Sequence, residues 1–225
     1  EAEAFARPRR TVLIGNDQAE YMQVIFAALL QIDEELAAKQ QKLVHGTVRF
    51  GSGQKMSSRL GNVKRAAEVM DDVAKAVTAD NAELRRDITL GAIKYAFLRQ
   101  RIGGDINFEV EESVSLQGNS GPYLQYAHAR ARSVLAKAGA AKTADGDDTS
   151  LEPDEHRLAQ FLSRYQETVQ LATAEMHPHH ICNYLYELAQ EFNRFYEHNK
   201  VVGDPRQSVR LRLVETYAAV LQHGL

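Results

Sequence analysis

The sequence predicts a mostly α-helical protein: the end of an α/β domain (1–64), a helical connector (65–115) and an all-helical C-terminal domain (116–225). Three observations predict it. Strand-like runs occur only before residue 111, at 11–14, 43–50 and 105–110. From Ala66 onward, apolar residues recur mainly at the three- and four-residue spacing of helices. Glycine and proline fall at the breaks between those periodic segments, at Gly103-Gly104, Gly139, Pro153, Pro178 and Pro205.

Thr11-Val12-Leu13-Ile14 is β-branched and apolar and ends at Gly15, which suits a buried strand. Asp17 is placed to cap the next helix, where Tyr21, Val24, Ile25, Ala28 and Leu29 keep helical spacing. Residues 43–50 read as one second strand, followed by the loop GSGQKMSSRLGN. Val69, Val73 and Val77 then share one side of a helix. A longer helix over 82–101 carries Leu84, Ile88, Ala92, Tyr95 and Leu98 or Phe97, and Gly103-Gly104 ends it. In GNSGPYLQYAHARARSVLAKAG, turn residues give way to a helix with Pro122 in its first turn, running to Gly139. Residues 141–155 are small and acidic, as in a surface loop. Three helices follow at about 153–175, 178–200 and 205–224, with Asp204 as N-cap of the last.

Composition bounds the function. Of 225 residues, 44% are hydrophobic and 25% charged, which is ordinary for a globular protein. Lys plus Arg number 27 against 30 for Asp plus Glu, a net charge of -3, so any nucleic-acid site must be a local patch. The single cysteine, Cys182, excludes an internal disulfide, fits a reducing compartment and is expected as a small buried apolar residue. No apolar run reaches the roughly 18 residues of a membrane span and no signal-peptide pattern is present, so a cytoplasmic protein with no membrane partner is expected, and a monomer is the expected state. The first residue is Glu1 and the last helical pattern is still running at Leu225, so a piece of a longer protein is expected.

The loop after the second strand has chemistry to explain. Lys55-Met56-Ser57-Ser58-Arg59 has the form K-M-S-x-[KR], between glycines that let backbone move close to a ligand. A solvated basic turn is the plain alternative. As a phosphate grip, Lys55 supplies a mobile point charge, while Arg59, Ser57 and Ser58 add donors. On a triphosphate they would stabilise charge building on departing pyrophosphate, commonly worth ~3–4 kcal/mol per preorganised donor. Met56 would be an apolar pin seating the loop.

KMSSR resembles the KMSKS signature of class I aminoacyl-tRNA synthetases. With VLIGNDQAEYMQVIFAALLQI, LVHGTVRFGSGQKMSSRLGNV, GNSGPYLQYAHARARSVL and YLYELAQEFNRFYEHNKV, the sequence from about residue 10 to 225 is similar to arginyl-tRNA synthetase. The resemblance implies the C-terminal part of a Rossmann-like α/β catalytic domain followed by an anticodon-binding helical bundle. It implies activation of arginine with ATP and Mg²⁺, and transfer to tRNA(Arg). Lys55, Met56, Ser57, Ser58 and Arg59 would meet ATP, and Gly15 and Gln18 the arginine. For Gln18 an ordinary polar residue in a first helical turn weighs equally. His45 reads as a strand-edge histidine satisfied locally rather than a nucleotide contact. The family's HIGH signature is absent from this sequence, so the chain alone is expected to lack aminoacylation activity.

Splayed RNA bases are read by stacking on aromatics or guanidinium planes and by hydrogen bonds to base edges. Tyr123, Tyr126, His128, Arg130 and Arg132 supply such groups, and Tyr123, Tyr126 and Arg130 recur at spacings of three and four. A tyrosine at that spacing also suits a core, above all Tyr126. In the second patch, the resemblance places Asn193 and Tyr196 at the anticodon, with Phe192 and Phe195 assigned to the core. His177-Pro178-His179-His180 is read as an ordinary helix start and not a metal site, because no acidic or thiolate partner is spaced to complete one. Two other readings stay open: a non-catalytic RNA-binding helical module, and another class I synthetase such as the cysteinyl enzyme.

Overall fold

A computed structural model describes residues 9–51, 54–55, 64–139 and 150–225. The chain divides into two compact units, residues 1–63 with 100–108, and residues 64–99 with 109–225. The stretch 65–115 is therefore shared: its helices pack with the C-terminal helices, and its extended segment returns to the first unit.

In the first unit, strand β1 (Arg10–Gly15) pairs in parallel with β2 (Gln40–His45), Leu13 opposite Leu43. Helices α1 (Ala19–Ile32) and α2 (Glu34–Ala38) make the crossover between them. Strand β3 (Val48–Phe50) pairs antiparallel with β4 (Gln54–Lys55) and parallel with β5 (Ile106–Phe108). The single strand expected over 43–50 is thus two strands in two sheets. The break falls at Gly46, where a Cβ would stand 2.0 Å from the Gly104 carbonyl oxygen. Asp105 holds the junction, its carboxylate accepting from the Thr47 amide at 2.8 Å and from Arg49 at 2.7 Å.

Two expectations fail here. Of β1 only Ile14 is buried, and Leu13 is exposed, because this unit supplies β1 with one neighbouring strand and no helix burying its other residues. The apolar residues of α1 likewise stay open, with Tyr21, Val24 and Ile32 exposed. Nor is Asp17 the cap of α1. It sits within a single 3-10 turn (Asn16–Gln18), and Gln18 takes the N-cap position without a side-chain bond.

In the second unit, α3 (Ala66–Ala76) buries Val69 and Val73, with Val77 just beyond its end, as the spacing predicts. Helix α4 (Ala82–Leu98) buries Ala92 and Tyr95 but leaves Leu84 and Leu98 exposed. A short helix α5 (Val110–Ser113) precedes α6 (Gly121–Ala138), capped by the Ser120 side chain accepting from the Tyr123 amide at 3.1 Å. Helix α6 packs on α4 closely enough that a Cβ on Gly121 would stand 2.3 Å from the Gly91 carbonyl oxygen. The segment expected as one helix over 153–175 is two, α7 (Pro153–Ser163) and α8 (Tyr165–Glu175), joined at Arg164. Helices α9 (His179–His198) and α10 (Gln207–Gly224) complete the unit. Asp204 is not the N-cap of α10; its carboxylate accepts from the Arg206 amide at 2.9 Å and orders the turn before the helix.

The core of this unit is one cluster. It joins Leu124, Ala131 and Leu135 of α6, Leu158 of α7, Leu185, Leu188 and Phe192 of α9, and Val214, Tyr217 and Leu221 of α10. Phe192 and Phe195 are both core residues, as expected, and Phe192 stacks on Tyr217 with ring centroids 3.8 Å apart. Cys182 is buried as expected, and burial pushes its thiol up to about 11. No described helix is long and apolar enough to cross a membrane.

Candidate nucleic-acid interface

Helices α6 and α9 cross so that four polar side chains meet above the aromatic core. Tyr123, in the first turn of α6, is half-buried and packs edge-on against Tyr186 at 5.6 Å. Its hydroxyl accepts from Asn193 Nδ2 at 2.8 Å. Two turns along α6, Arg130 donates to Asn193 Oδ1 at 3.3 Å and lays its guanidinium over the Tyr196 ring, 5.4 Å from the centroid. The Asn193 amide therefore uses both ends to tie the two helices. Tyr196 in turn stacks on Phe192 at 6.1 Å, which stacks on Tyr217, so the exposed guanidinium sits on a column of rings running into the core.

Burial raises the Tyr123 hydroxyl, with Tyr186 adding to the shift, while the Asn193 hydrogen bond and Arg130 oppose it. The phenol stays neutral at ordinary pH and keeps a proton to donate outward. His128, on another side of α6, is pulled down by desolvation and by the charge of Arg132.

Beside this constellation lies a groove of ≈ 500 Å³ lined by Tyr196, His198, Asn199, Lys200, Val134 and Lys137 among others. A ring, an amide and two lysines on one concavity can stack a base, read its edge and hold its phosphate. Lys137 was not anticipated; it lies two residues before Gly139, and only knowledge of the α6–α9 crossing brings it to Lys200.

The loop of α9 to α10 that frames this groove is anchored from beneath by ion pairs. Glu155 of α7 is fully buried and accepts from Arg206 at 2.5 and 2.9 Å and from Arg210 at 2.9 Å. Arg210 also donates to the Lys200 carbonyl at 2.8 Å and to Glu152 at 2.8 Å. Burial alone would raise the Glu155 carboxyl, but the hydrogen bonds from Arg206, the Glu152 amide and Arg210 outweigh it and hold it at about 2.

Of the five residues singled out for RNA, Tyr123, Arg130, Asn193 and Tyr196 come together and Tyr126 does not. Tyr126 is not core either: it is exposed and lines a separate, mainly apolar groove of ≈ 450 Å³ with Leu84, Ile88, Leu116 and Pro122. The expectation that His177-Pro178-His179-His180 lacks an acidic partner also fails, since Glu175 Oε2 lies 2.7 Å from His180 and 3.4 Å from His177.

In the first unit, Gly15 ends β1 opposite His45, and Gln18 is exposed at the start of α1. His45 Nδ1 donates to the Gly46 carbonyl at 2.9 Å, a local bond as expected. Lys55 is the last residue of β4, paired with Arg49. Met56, Ser57, Ser58 and Arg59 lie outside the described residues.

Residues 124–225 match the family model of the DALR anticodon binding domain. The chain is 32% identical to an arginine–tRNA ligase of Lactobacillus delbrueckii over 95% of its length and 40% of that protein's. To the arginine–tRNA ligase of Flavobacterium psychrophilum it is 34% identical over 85% of its length and 34% of the relative. The arginyl-tRNA synthetase structure from Thermus thermophilus superposes with a TM-score of 0.85 at 29% identity, covering 97% of this chain and 39% of that one. The chain thus spans about 40% of the length of these relatives and matches their C-terminal portion.

Proposed function

We propose that this chain, corresponding to the C-terminal portion of arginine–tRNA ligases, supplies the tRNA-reading bundle and one wall of the adenylate-forming site of such an enzyme. The parent reaction on this reading activates arginine with ATP and Mg²⁺ and esterifies tRNA(Arg). Residues 116–225 would be the anticodon-binding domain and residues 1–64 the end of the catalytic domain. Lys55, Met56, Ser57, Ser58 and Arg59 would meet the ATP phosphates, with Gly15 and Gln18 at the arginine.

The observation that carries the tRNA reading is the Tyr123–Asn193–Arg130–Tyr196 constellation, of which Arg130, Asn193 and Tyr196 lie within the span matching an anticodon-binding family and Tyr123 immediately precedes it. Its rings and guanidinium are prepositioned on buried aromatics, so a base can stack there with little further ordering. Binding of labelled tRNA(Arg) to the 225-residue chain tests this. Tyr196→Ala is expected to cost about 1–3 kcal/mol of affinity, the range for one base–aromatic stack. Arg130→Ala is expected to weaken binding and lower the salt dependence by about one charge. Unchanged affinity in both folded variants would remove this face from the tRNA site.

A further inference from the structure

Away from that face, four titratable side chains converge where α8 hands over to α9. His177, His179 and His180 each present a ring nitrogen, and the three atoms lie within 4.8 Å of one another. The rings are half-buried, with centroids 4.2 Å apart for His179 and His180 and 5.3 Å for His177 and His179. Glu175 Oε2 touches two of them, 2.7 Å from His180 Nε2 and 3.4 Å from His177 Nδ1.

A backbone device makes the cluster. Met176 sits in the left-handed region at φ 55 and closes α8, with the His177 amide donating to the Ala172 carbonyl at 3.0 Å and the Met176 amide to Thr173 at 3.4 Å. That reversal is the Schellman pattern, and it folds Glu175 back against residues two and five positions on. Pro178 then starts α9, setting His179 and His180 side by side in its first turn.

We propose that His177, His179 and His180, with Glu175, form a binding site for a divalent transition-metal ion of the zinc class. Three imidazolium charges this close repel, whereas three neutral rings offer their lone pairs to one cation. Imidazole donors select zinc, nickel or copper over magnesium or calcium. With metal–nitrogen bonds of about 2.0–2.1 Å, neighbouring ligand atoms of a tetrahedral site stand about 3.3 Å apart. The two Glu175 contacts bracket that spacing, and the rings close the remainder by side-chain rotation. Glu175 fits both the fourth ligand position and the acceptor that orients a ligating ring. The site would clamp the α8–α9 turn, about 21 Å along α9 from Asn193 at 1.5 Å per residue.

Titrating the metal-free 225-residue chain with Zn²⁺ by calorimetry, and with Co²⁺ by visible absorption, tests the site. One ion per chain and a tetrahedral cobalt spectrum are expected. His177→Ala and His180→Ala should each abolish stoichiometric binding, and Glu175→Gln should weaken it about 10–100-fold. His156→Ala, at an exposed position on α7, should leave it unchanged. Zinc binding that survives the His177→Ala, His180→Ala double substitution would overturn the proposal. Should those variants unfold, ring-nitrogen NMR of the unsubstituted chain decides. Zinc must then shift His177, His179 and His180 and leave His45, His128, His156, His198 and His223 in place; shifts spread over all eight would equally overturn it.

Discussion

Tyr217 shows what a single side chain contributes and costs. It is fully buried, stacks on Phe192 and anchors the ring column under Tyr196, yet its hydroxyl meets no hydrogen-bond partner among the described residues. Burial drives that phenol's ionisation far upward, with Tyr123 adding and Arg130 opposing. An unsatisfied buried hydroxyl costs about 1–3 kcal/mol. Tyr217→Phe keeps the stack and removes the orphan, so urea melts should show a gain of about 1 kcal/mol with an unchanged slope. Tyr123 and Arg130 stood out in the sequence as a ring and a guanidinium, and Asn193 and Tyr196 through the family resemblance. Their grouping was only half legible. At 3.6 residues per turn, Tyr123 and Arg130 lie about 20° apart around α6, whereas Tyr126 is about 60° away from Tyr123. That offset is enough for the α6–α9 crossing to take two and leave the third in another groove.

Among the elements, the tie between α7 and α10 decides how the groove is held. Glu155 lies buried between Arg206 and Arg210, and Arg210 also grips the carbonyl of Lys200 at the groove's edge. Removing one partner of a buried charge network leaves the other uncompensated, at about 3–5 kcal/mol. Glu155→Gln is therefore expected to destabilise the second unit by that amount in denaturant melts. The folded carboxyl at about 2 lies below the ordinary value of 4.5, so its stabilisation is present above the unfolded value and lost as pH falls toward 2. Up to ~3 kcal/mol should disappear between about pH 5 and pH 2, and the Gln variant should not show that step. Element boundaries were less legible than element types. Nothing in the apolar run of residues 43–50 reveals that Gly46 must pass beside Gly104, because that approach comes from a segment 58 residues later. The break between α7 and α8 carries no Gly or Pro at Arg164, so periodicity runs straight through it. Glu175 was missed as a partner for the histidines for a related reason: a left-handed methionine is not a turn signal that sequence spacing announces.

For the molecule as a whole, the two units differ in how much they bury. The second unit has a continuous core across five helices. Among the described residues of the first, only Ile14 and Phe108 are buried hydrophobics. Opening free energies follow buried apolar contact, so amides of β1, α1 and β2 should exchange hydrogen at far lower protection than those of α9 and α10. Exchange measured by mass spectrometry checks this, and equal protection in the two units would contradict it. The order of units and the helical character of the second were readable from periodicity and punctuation. The poor burial of the first was not, because an apolar pattern records what a surface would cover, without naming the surface that covers it.

The lone thiol has a practical corollary. Sitting beneath the turn of α9, with Tyr95 bonded to its own carbonyl and its ionisation held to about 11, Cys182 is both shielded and unreactive while the helices stay closed. Any alkylating reagent that reaches it must wait for the bundle to part. A chain with one sulfhydryl so placed keeps its own time: the rate at which that atom is modified reads how often the helical half comes undone, without an engineered label.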